Sequence, residues 1–164
     1  MYAGRSVRLR RIDNEELRQF CDRVGLVVLN AETDGDPEAS GNDRGTYIAE
    51  RMDNGDTVGC CRIEWLSDIG ICRLDYYLCK AYEYDEERFS DMIFTMLRAL
   101  FAEQGMEKIA CTHVKKIFGR QPFFREAGFA VEVLHACVNP NGERLVEEDY
   151  VMYREEFEKR YGDR

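Results

Sequence analysis

The chain has no Cys-x-x-Cys pair, no apolar run long enough for a membrane and too few bases to balance its acids. Each gap closes off a class of function. Lys and Arg total 23 against 32 Asp and Glu, a formal charge of −9. A main partner made of nucleic acid is not expected, since phosphate neutralisation calls for surplus Lys and Arg. The acidic balance favours solubility and suits a cationic partner, an amine or a basic peptide. The cysteines number seven, an odd count, with Cys60 and Cys61 adjacent and Cys72 and Cys79 in apolar text. They read as reduced thiols used as small core hydrophobes in a reducing compartment. Cys111 and His113 are two apart on a strand, but no second ligand pair accompanies them, so no metal site is expected. Met1–Arg11 is basic and lacks the apolar stretch of a secretory leader. The run from Val24 to Leu29 contains Gly25 and is too short to cross a bilayer. The expectation is a cytoplasmic protein with no membrane partner.

What is present suits one well-buried domain spanning residues 1–164, with 45% apolar and 12% aromatic residues in a chain of 164. Val7-Arg8-Leu9-Arg10 alternates as a short strand does. Asp13 and Glu16 have the spacing of a capping box for a helix whose apolar positions are Leu17, Phe20, Cys21 and Val24, ended by Gly25. Residues 31–45, acidic and rich in Gly, Asp and Ser, predict a mobile loop. Strands are predicted over Thr46–Met52, Thr57–Leu66 and Ile71–Ala81, the first two joined through Asn54-Gly55 and the last two through Ser67–Gly70, as an antiparallel meander. Phe89, Met92, Ile93, Met96, Leu97, Leu100 and Phe101 recur at helical spacing, so Asp85–Gln104 reads as a long helix capped by Asp85 and stopped by Gly105. A strand over Lys108–Val114 follows, then a helix with Pro122 in its first turn and an end at Gly128. Two strands, Ala130–Val138 and Asp149–Arg154, complete the order, and the charged end from Glu155 is expected to fray. The order predicts an α/β (α+β) fold with a mixed, mostly antiparallel sheet and helices on both faces. No internal repeat is visible.

This order, with three pieces of text, resembles the GNAT superfamily of acyl-CoA-dependent N-acetyltransferases, and within it the branch of ribosomal-protein N-terminal acetyltransferases. The pieces are Val7-Arg8-Leu9-Arg10 as the first strand; Leu74-Asp75-Tyr76-Tyr77-Leu78 as the strand that splays to admit the pantetheine arm; and Phe123-Phe124-Arg125-Glu126-Ala127-Gly128-Phe129 with Val131-Glu132 and Asp149-Tyr150 as the closing elements. The resemblance covers roughly Val7 to Phe157. It implies acetyl-CoA, or another acyl-CoA, as cosubstrate, a small amine or a peptide N-terminus as acceptor, and a monomer or homodimer.

That chemistry needs backbone amides around a pyrophosphate, an N–H donor to the thioester carbonyl, a carboxylate to take a proton from the amine, and an acid for the leaving thiolate. The resemblance places Leu78, Cys79 and Lys80 at the thioester and Arg88, Phe89 and Ser90 at the pyrophosphate, with Lys115 and Lys116 as further cations. Glu64 and Asp75 are the candidate bases. The family's tyrosine falls at Phe124, which has no hydroxyl and is counted among the cofactor contacts. Tyr82, Tyr84 and Tyr153 are the substitute acids, Tyr153 foremost. His113 and His135 read as packed or surface histidines. The loop Tyr82–Phe89 lacks glycine and places Asp85, Glu86 and Glu87 where the pyrophosphate would go. This departure supports a second reading, a GNAT-like binding or regulatory module that has lost CoA chemistry.

Overall fold

The computed structural model describes residues 1–24, 43–114, 121–138, 141–142 and 144–162. It divides into two compact units, residues 1–65 with 76–99, and residues 66–75 with 100–164. Lys115 and Lys116, and residues 25–42 of and before the expected mobile loop, lie outside the described residues, as do the side chains of His113 and His135.

In the first unit, β1 (Tyr2–Ala3) pairs antiparallel with β2 (Val7–Ile12). Val7, Leu9 and Ile12 of β2 are buried, as the apolar alternation predicts. The link between β1 and β2 is held by one side chain: Asp91 accepts from the backbone N–H groups of Arg5 (3.0 Å), Ser6 (2.7 Å) and Val7 (2.9 Å) and from the Ser6 hydroxyl. Helix α1 (Asn14–Val24) starts where Asp13 Oδ1 accepts the Glu16 N–H at 2.8 Å. Glu16 turns its own carboxylate to Arg10 (2.8 Å), so only the Asp13 side of the capping box is seen.

Strand β3 (Asp43–Arg51) pairs antiparallel with β2 and with β4 (Thr57–Ser67). Asp43, Arg44 and Gly45, expected in the loop, belong to β3, where Asp43 stands opposite Glu64. The Asn54-Gly55 turn forms as the sequence requires: Gly55 has φ +78°, and Arg51 N–H donates to the Asp56 carbonyl at 2.8 Å. Strand β5 (Ile71–Leu78) ends three residues earlier than expected, because Lys80–Tyr82 winds into one 3₁₀ turn. Helix α2 (Glu86–Arg98) buries Phe89, Met92, Ile93, Met96 and Leu97 and packs on β2. Its stripe continues through a π-helical turn, Ala99–Glu103, to Gly105 at φ +71°. The expected helix is thus present, with its last turn widened.

In the second unit, the start of β5 runs parallel to β6 (Lys108–Val114) over the pairs Ile71↔Lys108 to Arg73↔Ala110. Helix α3 (Gln121–Glu126) ends in a Schellman motif: the Phe129 N–H reaches the Phe124 carbonyl (2.9 Å) and the Gly128 N–H that of Arg125 (3.0 Å). Gly128 supplies the left-handed φ of +90°, and Phe129 packs edge-on to Phe124 at 5.1 Å. Strands β7 (Ala130–Val138) and β8 (Arg144–Tyr153) are antiparallel, and β8 pairs antiparallel with β6. The charged stretch from Glu155, expected to fray, forms helix α4 (Arg154–Tyr161). Phe157 is buried and stacks against Phe101 at 4.9 Å. Arg154 donates to the Phe101 (2.8 Å) and Met106 (2.6 Å) carbonyls, satisfying acceptors that the end of the long helix leaves open.

The strand order is β1-β2-β3-β4-β5-β6-β8-β7, a mixed, mostly antiparallel sheet accompanied by four α-helices. Among the described residues, no helix is long and apolar enough to cross a membrane.

Candidate functional site

The stretch from β4 to α2 brings the expected cofactor residues of the first unit into one continuous path. Gly59 on β4 lies so close to the Tyr77 carbonyl of β5 that an added Cβ would overlap its oxygen and meet Leu78 Cα at 3.1 Å. The absence of a side chain is what lets the backbones approach. Next to it, the Cys79 N–H donates to the Val58 carbonyl at 2.8 Å. This amide is therefore engaged with β4. Successive strand amides point to opposite edges, so the Leu78 N–H is directed away from β4. Cys79 is buried with Ile12, Phe20, Ile48 and Cys60, and Tyr77 and Tyr82 pack against that cluster. Burial pushes the Cys60 thiol up to about 12, so it acts as a hydrophobe and not as a nucleophile. Lys80 is exposed at the start of the 3₁₀ turn.

At the start of α2 the chain supplies its own anion. Asp85 is the N-cap: its Oδ1 accepts the Arg88 N–H at 3.0 Å and its Oδ2 the Arg88 guanidinium at 2.6 Å. Burial opposes ionisation of Asp85, but the bonds from Arg88, its charge and that of Arg51 outweigh it and hold the carboxyl below its ordinary range. Arg88 Nε is buried with no hydrogen-bond partner, one donor left over beside a satisfied carboxylate. Arg51 grips Asp53 through both carboxylate oxygens and also meets the Tyr82 side chain, which raises its pKa. Asp53 is lowered by the Arg51 hydrogen bond first and by the charges of Arg51 and Arg88 as well. The first unit thus gathers two arginines and two aspartates at the α2 start. Phe89 is wholly buried against Tyr76 at 5.2 Å, while Ser90 is half-buried.

The candidate bases and acids are spread more widely. Glu64 is half-buried on β4 and Asp75 half-buried on β5. Tyr84 is 87% exposed. Tyr153 stands opposite Lys108 at the start of β6; its hydroxyl donates to Glu132, which also holds Lys108, and the Lys108 ammonium lies 5.4 Å over its ring. Ile71 pairs with that same Lys108, so Tyr153 is level with the start of β5. Asp75 lies four residues further along β5, roughly 13 Å at strand rise. The structure therefore does not bring Tyr153 and Asp75 together.

The second unit holds a polar group the sequence reading passed over. Phe124 is fully buried and its ring stacks on Tyr150 at 5.2 Å and 27°. The Tyr150 hydroxyl donates to Glu148 Oε2 at 2.5 Å, and Glu148 is only 3% exposed. One signal was available: Glu148, Tyr150 and Met152 alternate on one face of a strand, and a carboxylate in register with buried Tyr and Met is itself buried. Among the described residues, no cluster of His, Cys, Asp and Glu is arranged to hold a metal.

Solved structures share this fold. The spermidine/spermine N-acetyltransferase SpeG of Vibrio cholerae superposes with a TM-score of 0.78 at 12% identity, covering 95% of this chain and 97% of its own. A GNAT-family acetyltransferase of Bacillus anthracis gives 0.68 at 12%, covering 95% and 100%. The N-terminal domain of ribosomal-protein-alanine acetyltransferase from Clostridium acetobutylicum gives 0.62 at 15%, covering 96% and 98%. The fold is that of the GNAT acetyltransferases. No protein-family model matches the sequence, and neither does any curated protein. The β5–α2 turn is the stretch where the sequence resemblance leads one to look for a pyrophosphate loop, and Asp85, the α2 N-cap, ends it.

Proposed function

We propose that the protein is an acyl-CoA-dependent N-acetyltransferase of the cytoplasm, acting on a small amine or a basic peptide N-terminus. The observation that carries this reading is the GNAT arrangement of a glycine-backed β5 leading directly into a capped α2. The −9 charge suits a cationic acceptor, and one fold relative, SpeG, is an acetyltransferase for spermidine and spermine.

Acetyl-CoA would supply the activated acyl group. Leu78 N–H, directed away from β4, is the donor suited to its thioester carbonyl. Arg88 and the α2 N-terminus would hold the pyrophosphate, Arg88 offering the buried Nε that lacks a partner. Asp85 competes for Arg88, so the affinity for CoA should be modest. Glu64 and Asp75 remain the bases for the amine, whose ordinary pKa of about 10.4 requires deprotonation before attack. The same Asp85 bond favours the second reading, a binding module that no longer uses CoA.

Calorimetric titration of acetyl-CoA into the reduced protein decides between them. Stoichiometric binding, with acetyl transfer to polyamines or basic peptides, is expected. No heat and no thermal shift at millimolar ligand would overturn the enzyme reading and leave the module.

A further inference from the structure

We propose that Arg51, at the end of β3, is a second phosphate-binding residue beside Arg88, the two gripping the diphosphate of acetyl-CoA; the assignment rests on the CoA-dependent reading above. Side chains have to do this work because the turn from Leu78 to Asp85 has no glycine to bring successive amides onto phosphate.

Arg51 is held in place without help from its carboxylate partner. Its N–H donates to the Asp56 carbonyl (2.8 Å), and its carbonyl accepts from the Gly55 N–H (3.0 Å). Asn54 closes the same turn again: its Oδ1 accepts the Asp56 N–H at 3.0 Å and its Nδ2 donates to Asp56 Oδ2 at 2.7 Å. The Arg51 guanidinium also meets the Tyr82 side chain, which packs against the buried cluster of Ile12, Phe20, Ile48, Cys60 and Cys79. This contact carries Arg51 from the β3–β4 turn to the turn that leads into α2. A group positioned before the ligand arrives loses less freedom on binding it.

Asp53 is the part that can leave. It accepts from Arg51 Nε at 2.8 Å on one oxygen and from Nη2 on the other, the two-pronged geometry in which a guanidinium also takes phosphate. Its side chain is 62% exposed against 24% for Arg51, so another anion can replace it at the cation. The second pair lies at the α2 start, where Asp85 Oδ2 accepts from Arg88 Nη1 at 2.6 Å and the buried Arg88 Nε is left without a partner. The pairs form one cluster, since the charge of Arg51 reaches Asp85 and that of Arg88 reaches Asp53. Two arginines, each holding one carboxylate, match the charge pattern of two linked phosphates. A diphosphate therefore enters by exchange, its oxygens replacing Asp53 on Arg51 and Asp85 on Arg88, while Asp85 keeps its cap on the Arg88 N–H.

The test compares the native chain with Arg51→Gln and Asp53→Asn by melting temperature and calorimetric affinity. The probes are acetyl-CoA, inorganic pyrophosphate and S-acetylpantetheine, which keeps the thioester and lacks the diphosphate. Expected for Arg51→Gln is a loss of about tenfold for acetyl-CoA and pyrophosphate and none for S-acetylpantetheine. Expected for Asp53→Asn is a gain of about threefold for the same two ligands, the reverse of what losing a merely structural ion pair would do. Native acetyl-CoA affinity in Arg51→Gln, an equal loss with S-acetylpantetheine, or no gain in Asp53→Asn overturns the clamp and leaves CoA use standing. Should Arg51→Gln not fold, Asp53→Asn, which keeps Arg51, decides alone. A native chain that binds no acetyl-CoA fails the CoA reading itself, and the clamp falls with it.

Discussion

Asp91 and Asp85 show how a single carboxylate organises backbone. Asp91 takes the N–H groups of Arg5, Ser6 and Val7. Burial opposes its ionisation, but these bonds together hold its pKa below the ordinary carboxylate value. A depressed folded pKa gives stability that is complete above the unfolded value, near 3.9, and is lost as pH falls through the folded one. Asp91→Asn should therefore cost about 1–2 kcal/mol at pH 7. In denaturant titrations the gap from the native chain should close below pH 4; a gap that persists there would contradict the assignment. Asp85 has the opposite relevance, since its charge sits on the arginine that CoA would need. Asp85→Ser keeps a capping oxygen and removes the charge. Acetyl-CoA affinity should rise about fivefold, the worth of one partly buried surface ion pair, and an unchanged affinity would show that Asp85 is no obstacle.

At the scale of the element, Gly59 is the position most sensitive to a single methyl. Gly59→Ala drives a Cβ into the Tyr77 carbonyl, which is backbone and cannot swing aside. Overpacking of this kind costs about 1–3 kcal/mol. The melting temperature should fall, and acetyl-CoA binding should weaken with it, because Leu78 shifts. The same scale explains what the sequence could and could not reveal. The stripe from Phe89 to Phe101, the Asn54-Gly55 turn and the Gly128-Phe129 helix end each carry local chemistry that dictates their geometry, and each is found in the structure. The early end of β5 has no such mark: Cys79 and Ala81 suit a strand as well as a turn. Helix α4 hides because one buried side chain, Phe157, anchors eight otherwise mostly polar residues, and Arg154 acts on carbonyls far away in sequence. For the site, the helix cap at Asp85 was legible from spacing. The Arg51–Asp53 grip and the Tyr150–Glu148 bond each join residues two apart in sequence, whereas the meeting of Arg51 with Tyr82 and the stacking of Phe124 on Tyr150 depend on tertiary placement, beyond any local pattern.

For the whole molecule, the placing of the thiols has a use. Among the described residues, Cys60, Cys61, Cys72, Cys79 and Cys111 are buried thiols, and Cys21 is partly exposed. Cys21, Cys60, Cys61 and Cys79 belong to the first compact unit, Cys72 and Cys111 to the second. A thiol is alkylated only when water and reagent reach it, so each buried cysteine keeps time for the opening of its own surroundings. Pulsed alkylation read by mass spectrometry should label Cys21 at once. If the units open independently, Cys60, Cys61 and Cys79 should share one labelling rate and Cys72 and Cys111 another; a common rate would mean that the chain opens as a single cooperative body. The five buried thiols among the described residues are thus built-in stopwatches, wound by folding and started by its loss.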